Sequence, residues 1–229
     1  MPTVLRDSFA RFDIMKKYKA VFFDFDGTLA DSSEGITKGV AYTLRRYGIE
    51  PPPLCELNCF IGPPLTESFE RYYGFPRERG MELEYVFREY YDAVGINECR
   101  LYEGIKDLLS NLRAAGKTVA VASSKPEKHI LPLLENFDIR KYFDIVSAAD
   151  VENGLIEKAD VVKKTLSEAE LDPSECLMIG DTGYDIIGAH ANGMDCAAVS
   201  WGFGSSAEFS RLGADFVVDS VRELEKMLI

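Results

Sequence analysis

The run Ala20-Val21-Phe22-Phe23-Asp24-Phe25-Asp26-Gly27-Thr28-Leu29 ends an apolar segment on two carboxylates spaced i, i+2. In an extended chain that spacing leans both to one side of the strand, and Gly27 permits a sharp exit. A solvated strand end would account for one Asp and a Gly. Two carboxylates against low-dielectric walls repel unless a cation or a shared proton relieves them. A second pair follows the apolar Cys176-Leu177-Met178-Ile179, in Gly180-Asp181-Thr182-Gly183-Tyr184-Asp185. Asp181 alone could be a helix cap, and Asp185, four residues on, shares its helix face. Where strand ends of a parallel sheet face one crevice, Asp24, Asp26, Asp181 and Asp185 can converge. Four such carboxylates describe a hard-cation site. Mg²⁺ is the expected ion, since it takes one or two carboxylates and keeps water and substrate phosphate in its shell.

Two further segments offer groups that complement an anion. Ser123-Ser124-Lys125-Pro126 follows the apolar Thr118–Ala122, and it reads as a hydroxyl and free backbone amides at a helix start, either a phosphate cradle or a plain Ser N-cap. Lys158, in Gly154-Leu155-Ile156-Glu157-Lys158-Ala159-Asp160, opens the helix leading to the Asp181 strand. A cation there opposes the helix dipole, so an anion in front of it is the better explanation, a solvated loop lysine being the alternative.

These groups need a frame. Short apolar, β-rich runs occur at 20–25, 118–122, 145–147, 176–179, 196–200 and 216–218, with helical patterns at 126–137, 159–169, 184–191 and 221–228. Apolar strands alternating with helices predict an α/β fold with a parallel sheet covered on both faces. Residues from about Ser33 to about Leu101 break the alternation with helix-like patterns punctuated by Pro51-Pro52-Pro53, Gly62-Pro63-Pro64 and Gly74-Phe75-Pro76. A crossover needs far less chain, so an inserted helical subdomain is expected. Its stripe Glu82, Leu83, Tyr85, Val86, Phe87, Tyr90 and Tyr91 reads as a helix-packing face. The predicted divisions are an N-terminal extension 1–14, a core of 15–32 with 103–229, and a helical cap 33–102. Met15 is a candidate alternative start, and Leu5, Phe9 and Phe12 a candidate amphipathic arm.

The chain has 229 residues, 26 Lys plus Arg against 38 Asp plus Glu, and a net charge of -12. Affinity for a nucleic-acid polymer rests on neutralising phosphates with cations, so no such partner is expected. An anionic small substrate requires a local cation that reverses the field. Cys55, Cys59, Cys99, Cys176 and Cys196 form no CxxC pair and read as idle thiols of a reducing compartment. No apolar run approaches the roughly 20 residues of a membrane span, so a cytoplasmic location without membrane contact is expected. His129 and His190 are read as structural, since the expected chemistry needs no imidazole.

At these residues the chain resembles the haloacid dehalogenase superfamily of phosphatases, and within it the phosphoglycolate phosphatase-like group with a helical cap on a Rossmann-like core. Asp24-Phe25-Asp26-Gly27-Thr28-Leu29 looks like its first motif, Ser123 like its second, Lys158 like its third and Gly180–Asp185 like its fourth. The match runs from about Met15 to the end. It implies that Asp24 is the nucleophile forming an aspartyl-phosphate and that Asp26 is the general acid and then the base. It implies a Mg²⁺ cofactor on the Asp24 and Asp181 carboxylates and the Asp26 main-chain carbonyl, with Asp185 acting directly or through water. Ser123 and the Ser124 amide would bind phosphoryl oxygens, and Lys158 would neutralise the transition state and orient Asp24.

Two departures stand out: Ser123 where Thr is frequent, and Lys158 in Glu-Lys-Ala-Asp in place of Lys-Pro-x-Pro. Lys125 is therefore a rival for the lysine role. Asp26 speaks against dehalogenation, since the members cleaving carbon–halogen bonds lack this Asp. Phe60-Ile61-Gly62-Pro63-Pro64-Leu65 resembles a cap segment near the substrate entrance, with Arg45, Arg71 and Tyr72 as candidate contacts. The expected function is hydrolysis of a small phosphorylated metabolite, with phosphoglycolate or a nucleoside monophosphate as candidates. A phosphomutase of the β-phosphoglucomutase kind is the enzymatic alternative, and a non-catalytic interaction protein the other.

Overall fold

The computed structural model describes residues 18–150 and 154–229. The extension 1–14, its amphipathic arm and the candidate start Met15 lie outside them. Among the described residues the strand β1 (Ala20–Phe23) is followed by helices α1 (Ser33–Arg46), α2 (Leu65–Tyr73) and α3 (Gly80–Tyr91). Then come α4 (Ile105–Ala114), β2 (Thr118–Pro126), α5 (Glu127–Asn136), β3 (Ile145–Ala149), α6 (Lys158–Ala169) and β4 (Cys176–Gly180). The chain closes with α7 (Gly183–His190), β5 (Asp195–Val199), α8 (Ser206–Leu212), β6 (Phe216–Val218) and α9 (Val221–Leu228). Residue contacts divide the chain into two compact units, one of residues up to Leu29 together with Leu101–Ile229, the other Ala30–Arg100.

The first unit is an α/β fold. Its six strands form one parallel sheet in the order β3-β2-β1-β4-β5-β6. All of β1 is buried, as a strand covered on both faces requires, and its Ala-Val-Phe-Phe sequence supplies apolar side chains to each face. Ala20 and Phe22 join Ala120, Ala122, Cys176, Met178, Cys196 and Ala198 on one face, closed over by Val161 and Val162 of α6, Ile186 and Ala189 of α7 and Phe209 of α8. The alternate residues Val21, Phe23, Val119, Val121, Leu177 and Ile179 are equally buried. Helices α4, α5 and α9 pack against β2, β3 and β6.

Phe23, Val121 and Ile179 stand level across β2, β1 and β4. The chain leaves β1 toward β2 and β3 and returns on the other side of it as β4. The strand order therefore reverses between β1 and β4, where the carboxyl ends of the strands open a crevice in such sheets. Asp24 and Asp181 are the first residues past β1 and β4.

One local expectation is corrected. Ser123-Ser124-Lys125 is not a helix start: β2 continues through Pro126, and α5 begins at Glu127 with Pro126 at its N-cap. Pairing with β3 slips here, from Ser123 opposite Ala148 to Pro126 opposite Ala149, so Ser124 and Lys125 form a bulge. A bulge keeps the strand going while re-aiming a side chain.

The second unit is helical, with Val40, Leu44, Leu57, Phe60, Phe69, Leu83, Phe87 and Tyr91 buried within it. On α3 the packing face is Leu83, Phe87 and Tyr91, at successive i, i+4 steps, and the Phe87 and Tyr91 rings stack at 5.2 Å. Tyr85, counted with that face in the sequence, is instead 70% exposed. It lies two residues from Leu83 and Phe87, on the outer side of the helix. No helix among the described residues is long and apolar enough to cross a membrane.

Candidate active site

The strand ends of the α/β unit gather a buried group of charged and polar side chains. Asp24 is fixed by its own main chain, whose N–H donates to the Ile179 carbonyl at 2.9 Å and prolongs the β1–β4 pairing by one step. Asp181 follows β4, and Asp185 lies in the first turn of α7. One carboxylate oxygen from each of Asp24, Asp181 and Asp185 lies within 4.8 Å of the others, and all three residues are buried.

Each carboxylate has its own holder. Asp185 completes a capping box, its Oδ2 accepting from the Thr182 N–H at 3.0 Å and the Thr182 hydroxyl at 2.9 Å. Thr182 is thus the N-cap of α7, and the cap reading of Asp181 is set aside. Asp181 accepts from the Thr28 hydroxyl at 3.1 Å and from the Phe203 N–H at 2.8 Å. Trp201 in turn donates its Nε1–H to the Thr28 carbonyl at 3.1 Å. Gly27 has φ +79, and a β-carbon there would stand 2.1 Å from Asp181 Oδ2. Only glycine allows that turn against that carboxylate.

Lys158, the first residue of α6, is the cation among them. Its side chain is 5% exposed, and Nζ stands 2.8 Å from Asp24 Oδ1 and 2.9 Å from Asp185 Oδ1 while donating to the Ala122 carbonyl at 3.1 Å. It reaches this place across Gly188 of α7, where a β-carbon would meet Lys158 Cγ at 2.6 Å. Burial alone would lower the Lys158 ammonium, but the Asp185 and Asp24 carboxylates outweigh it and hold the group above the ordinary lysine range. Burial pushes the Asp24 carboxyl up to about 6 against the pull of Lys158, with Asp185 adding to the rise and a Ser123 hydrogen bond opposing it. Asp181 is pushed well above the usual carboxylate range by burial, then by Asp185 and Asp24.

Asp26 belongs to a different pairing. Lys125 Nζ stands 3.0 Å from each of its carboxylate oxygens, so the two lysines divide the acids: Lys158 faces Asp24 and Asp185, Lys125 faces Asp26. Ser123 is buried and Ser124 half-buried on the β2 bulge. His190 Nε2 lies 3.0 Å from Asp215 Oδ2. In the helical unit, Arg71 lies over the Tyr72 ring at 5.5 Å, and Arg45 is exposed on α1.

A sequence profile of the haloacid dehalogenase-like hydrolases matches residues 21–199. The chain belongs to that family. Among its relatives is a 5'-nucleotidase of Pseudomonas aeruginosa, 37% identical over 196 residues, 86% of this chain and 89% of that one. The tyrosine-protein kinase PtkA of Mycobacterium tuberculosis is 33% identical over 208 residues, 89% of this chain and 71% of that one. A crystal structure of a predicted phosphatase from Clostridium acetobutylicum superposes with a TM-score of 0.89 at 40% identity, covering 92% of this chain and 98% of that chain. This haloacid dehalogenase-like hydrolase is a phosphatase acting on small phosphorylated substrates.

Hydrolases of this family use a divalent metal, and the residues present fit one. Three buried carboxylates lie together and only two of them, Asp24 and Asp185, pair with the one ammonium of Lys158, an excess of negative charge that burial makes unfavourable and a hard, doubly charged cation with oxygen ligands would relieve. Sequence reasoning did not find Thr28, Thr182, Trp201 or Phe203. The first two stand inside the quoted motifs and were legible as hydroxyls beside carboxylates. Trp201 and Phe203 come from the segment after β5 and carry no local signal.

Proposed function

We propose that the protein is a Mg²⁺-dependent phosphomonoesterase that hydrolyses a nucleoside monophosphate, or a phosphoglycolate-like ester, through an aspartyl-phosphate. The observation that carries this is the sharing of Lys158 between Asp24 and Asp185, 2.8 and 2.9 Å away, beside a third buried carboxylate. That ammonium orients Asp24 and faces the place where a phosphoryl group would gain charge. Asp24, Asp181 and Asp185, with the Asp26 main-chain carbonyl, would hold Mg²⁺, which offsets the repulsion between a carboxylate nucleophile and a phosphate dianion.

An Asp24 carboxylate oxygen attacks phosphorus, the bond to the leaving oxygen breaks, and the Asp26 carboxyl gives that oxygen its proton. The Asp26 carboxylate then takes a proton from water as the water oxygen attacks phosphorus and the Asp24–phosphorus bond breaks. Ser123 and the Ser124 amide are the donors proposed for the phosphoryl oxygens. The likeness to a 5'-nucleotidase supports a nucleoside monophosphate as substrate.

The likeness to PtkA supports a second reading, in which a tyrosine hydroxyl replaces water as the acceptor. A panel of nucleoside monophosphates, phosphoglycolate and sugar phosphates, read by inorganic phosphate, tests the first reading, and incubation with ATP and a tyrosine-containing peptide tests the second. Nucleoside monophosphates are expected to be hydrolysed in Mg²⁺ and left intact in EDTA. Phosphate release that EDTA does not reduce would remove the metal from this reading. Transfer from ATP to tyrosine without phosphate release would favour the kinase reading.

A metal on Asp181 is also expected to be visible without turnover. Trp201 is the sole tryptophan of the chain, and its indole N–H is bonded to Thr28, whose hydroxyl is bonded to Asp181. Adding MgCl2 to metal-free protein should change the tryptophan emission saturably, and NaCl of matched ionic strength should not. A flat titration, with Mg²⁺-dependent turnover in the same preparation, would place the metal away from Asp181.

A further inference from the structure

We propose that Lys125 is the positioning residue for Asp26, holding its carboxylate beside the leaving group and stabilising the charge it acquires on giving up its proton. The inference rests on the phosphomonoesterase reading above and deepens it. Lys125 projects from the β2 bulge, where two residues are interposed between the Ser123–Ala148 and Pro126–Ala149 pairs. Its own N–H donates to the Ser123 hydroxyl at 3.3 Å, tying the bulge down. The ammonium then reaches Asp26 evenly, 3.0 Å to each oxygen, and lies 5.9 Å from the centre of the Phe25 ring. Both side chains of the pair are largely buried, at 5% and 15% exposure. A regular β2 would point residue 125 elsewhere, so the irregularity and the ion pair belong together.

The chemistry gives the pair a direction. While Asp26 holds its proton it is neutral. As the P–O bond breaks, the proton passes to the leaving oxygen and a full negative charge develops on the carboxylate. An ammonium already fixed 3.0 Å from both oxygens stabilises that charge without rearrangement, and it does so more in the transition state than in the ground state. In the second step the same ammonium keeps the carboxylate aimed while it takes a proton from water. Lys125 touches neither substrate nor phosphorus in this account and acts through Asp26. Lys158 keeps the phosphoryl side, so the two lysines serve opposite ends of the breaking bond.

The test is the dependence on the leaving group. A substrate whose leaving oxygen is a strong base needs the proton, whereas p-nitrophenolate departs without it. kcat/KM reports the steps up to departure of the leaving group, so it is measured on AMP, phenyl phosphate and p-nitrophenyl phosphate. Lys125→Met is expected to lose about 100-fold on AMP and less than about tenfold on p-nitrophenyl phosphate, the scale of general acid catalysis. Lys125→Arg, which keeps the charge, should restore much of the AMP rate. Lys125→Gln, neutral and polar, carries the same test where the Met variant fails to fold, as judged by its melting curve. Equal losses on all three substrates, or none, would overturn the proposal while leaving the phosphatase reading intact. A wild-type protein that hydrolyses none of them would overturn both.

Discussion

Asp24→Asn is expected to lower phosphatase activity by about 10⁴-fold or more and to leave the melting temperature of the metal-free protein unchanged or raised. The activity argument is chemical: an amide is a poor nucleophile toward phosphorus, and among the described residues the neighbouring carboxylates are already engaged, Asp26 with Lys125. Asp185 is committed to the Thr182 capping box and Asp181 to Thr28 and Phe203. The stability argument follows from charge. Asp24, Asp181 and Asp185 are buried together with one ammonium, Lys158, paired to Asp24 and Asp185, and burial already pushes the Asp24 carboxyl up to about 6, so its ionised form is disfavoured in the absence of metal. A neutral amide of the same shape removes one of the repelling charges. Lys158 keeps Asp185 at 2.9 Å and the Ala122 carbonyl at 3.1 Å, so it is not abandoned. Hydrolysis of AMP and p-nitrophenyl phosphate, with thermal melting in EDTA, reads both outcomes. Activity near that of wild type would remove Asp24 as nucleophile. A fall of many degrees would make its carboxylate a structural group.

The parts of this arrangement legible in the sequence are those carried by local pattern. The α/β fold followed from apolar runs such as Ala20–Phe25 and Cys176–Ile179, because a parallel strand buried on both faces is apolar throughout. Apolar character does not mark the point where a strand stops, and β1 ends at Phe23, two residues before the run does. At β2 the sequence misled in the other direction. Ser-Ser-Lys-Pro is turn and cap chemistry, yet β3 supplies pairing partners on both sides of a bulge and the strand runs on to Pro126. The same bulge brings Lys125 to Asp26, whereas Lys158 reaches Asp24 and Asp185 from the start of α6, and both placements depend on strand order and register, which no window of sequence contains. Trp201 and Phe203 were hidden for a related reason. They support Asp181 through main-chain atoms of Thr28 and of Phe203 itself, and main-chain bonds leave no mark on residue type.

Lys158→Met should give the opposite stability result to Asp24→Asn, with a comparable loss of turnover. Removing the ammonium leaves Asp24 and Asp185 buried, close together and without their counter-ion. Breaking a buried pair from one side costs about 3–5 kcal/mol. In a chain of this size that corresponds to a fall of about 10 °C in melting temperature, measured in EDTA. Methionine fills the volume across Gly188 that the lysine stem occupies, so the loss reports charge more than packing. Activity should fall about 10³-fold, since the group stabilising charge on the phosphoryl oxygens is gone. Saturating Mg²⁺ should recover a large part of the stability and little of the activity, because the ion would relieve the carboxylates but would not supply the hydrogen-bond donor that the ammonium provides. The double variant Asp24→Asn, Lys158→Met decides the matter. If the two groups act on one another as the 2.8 Å contact implies, neutralising Asp24 removes part of what the missing lysine had balanced. The double variant should then melt above Lys158→Met alone, a coupling that independent sites do not show. Additive melting temperatures would mean that Lys158 supports the fold by some route other than its carboxylates, and the assignment of Lys158 in place of Lys125 to the nucleophile would fall with them.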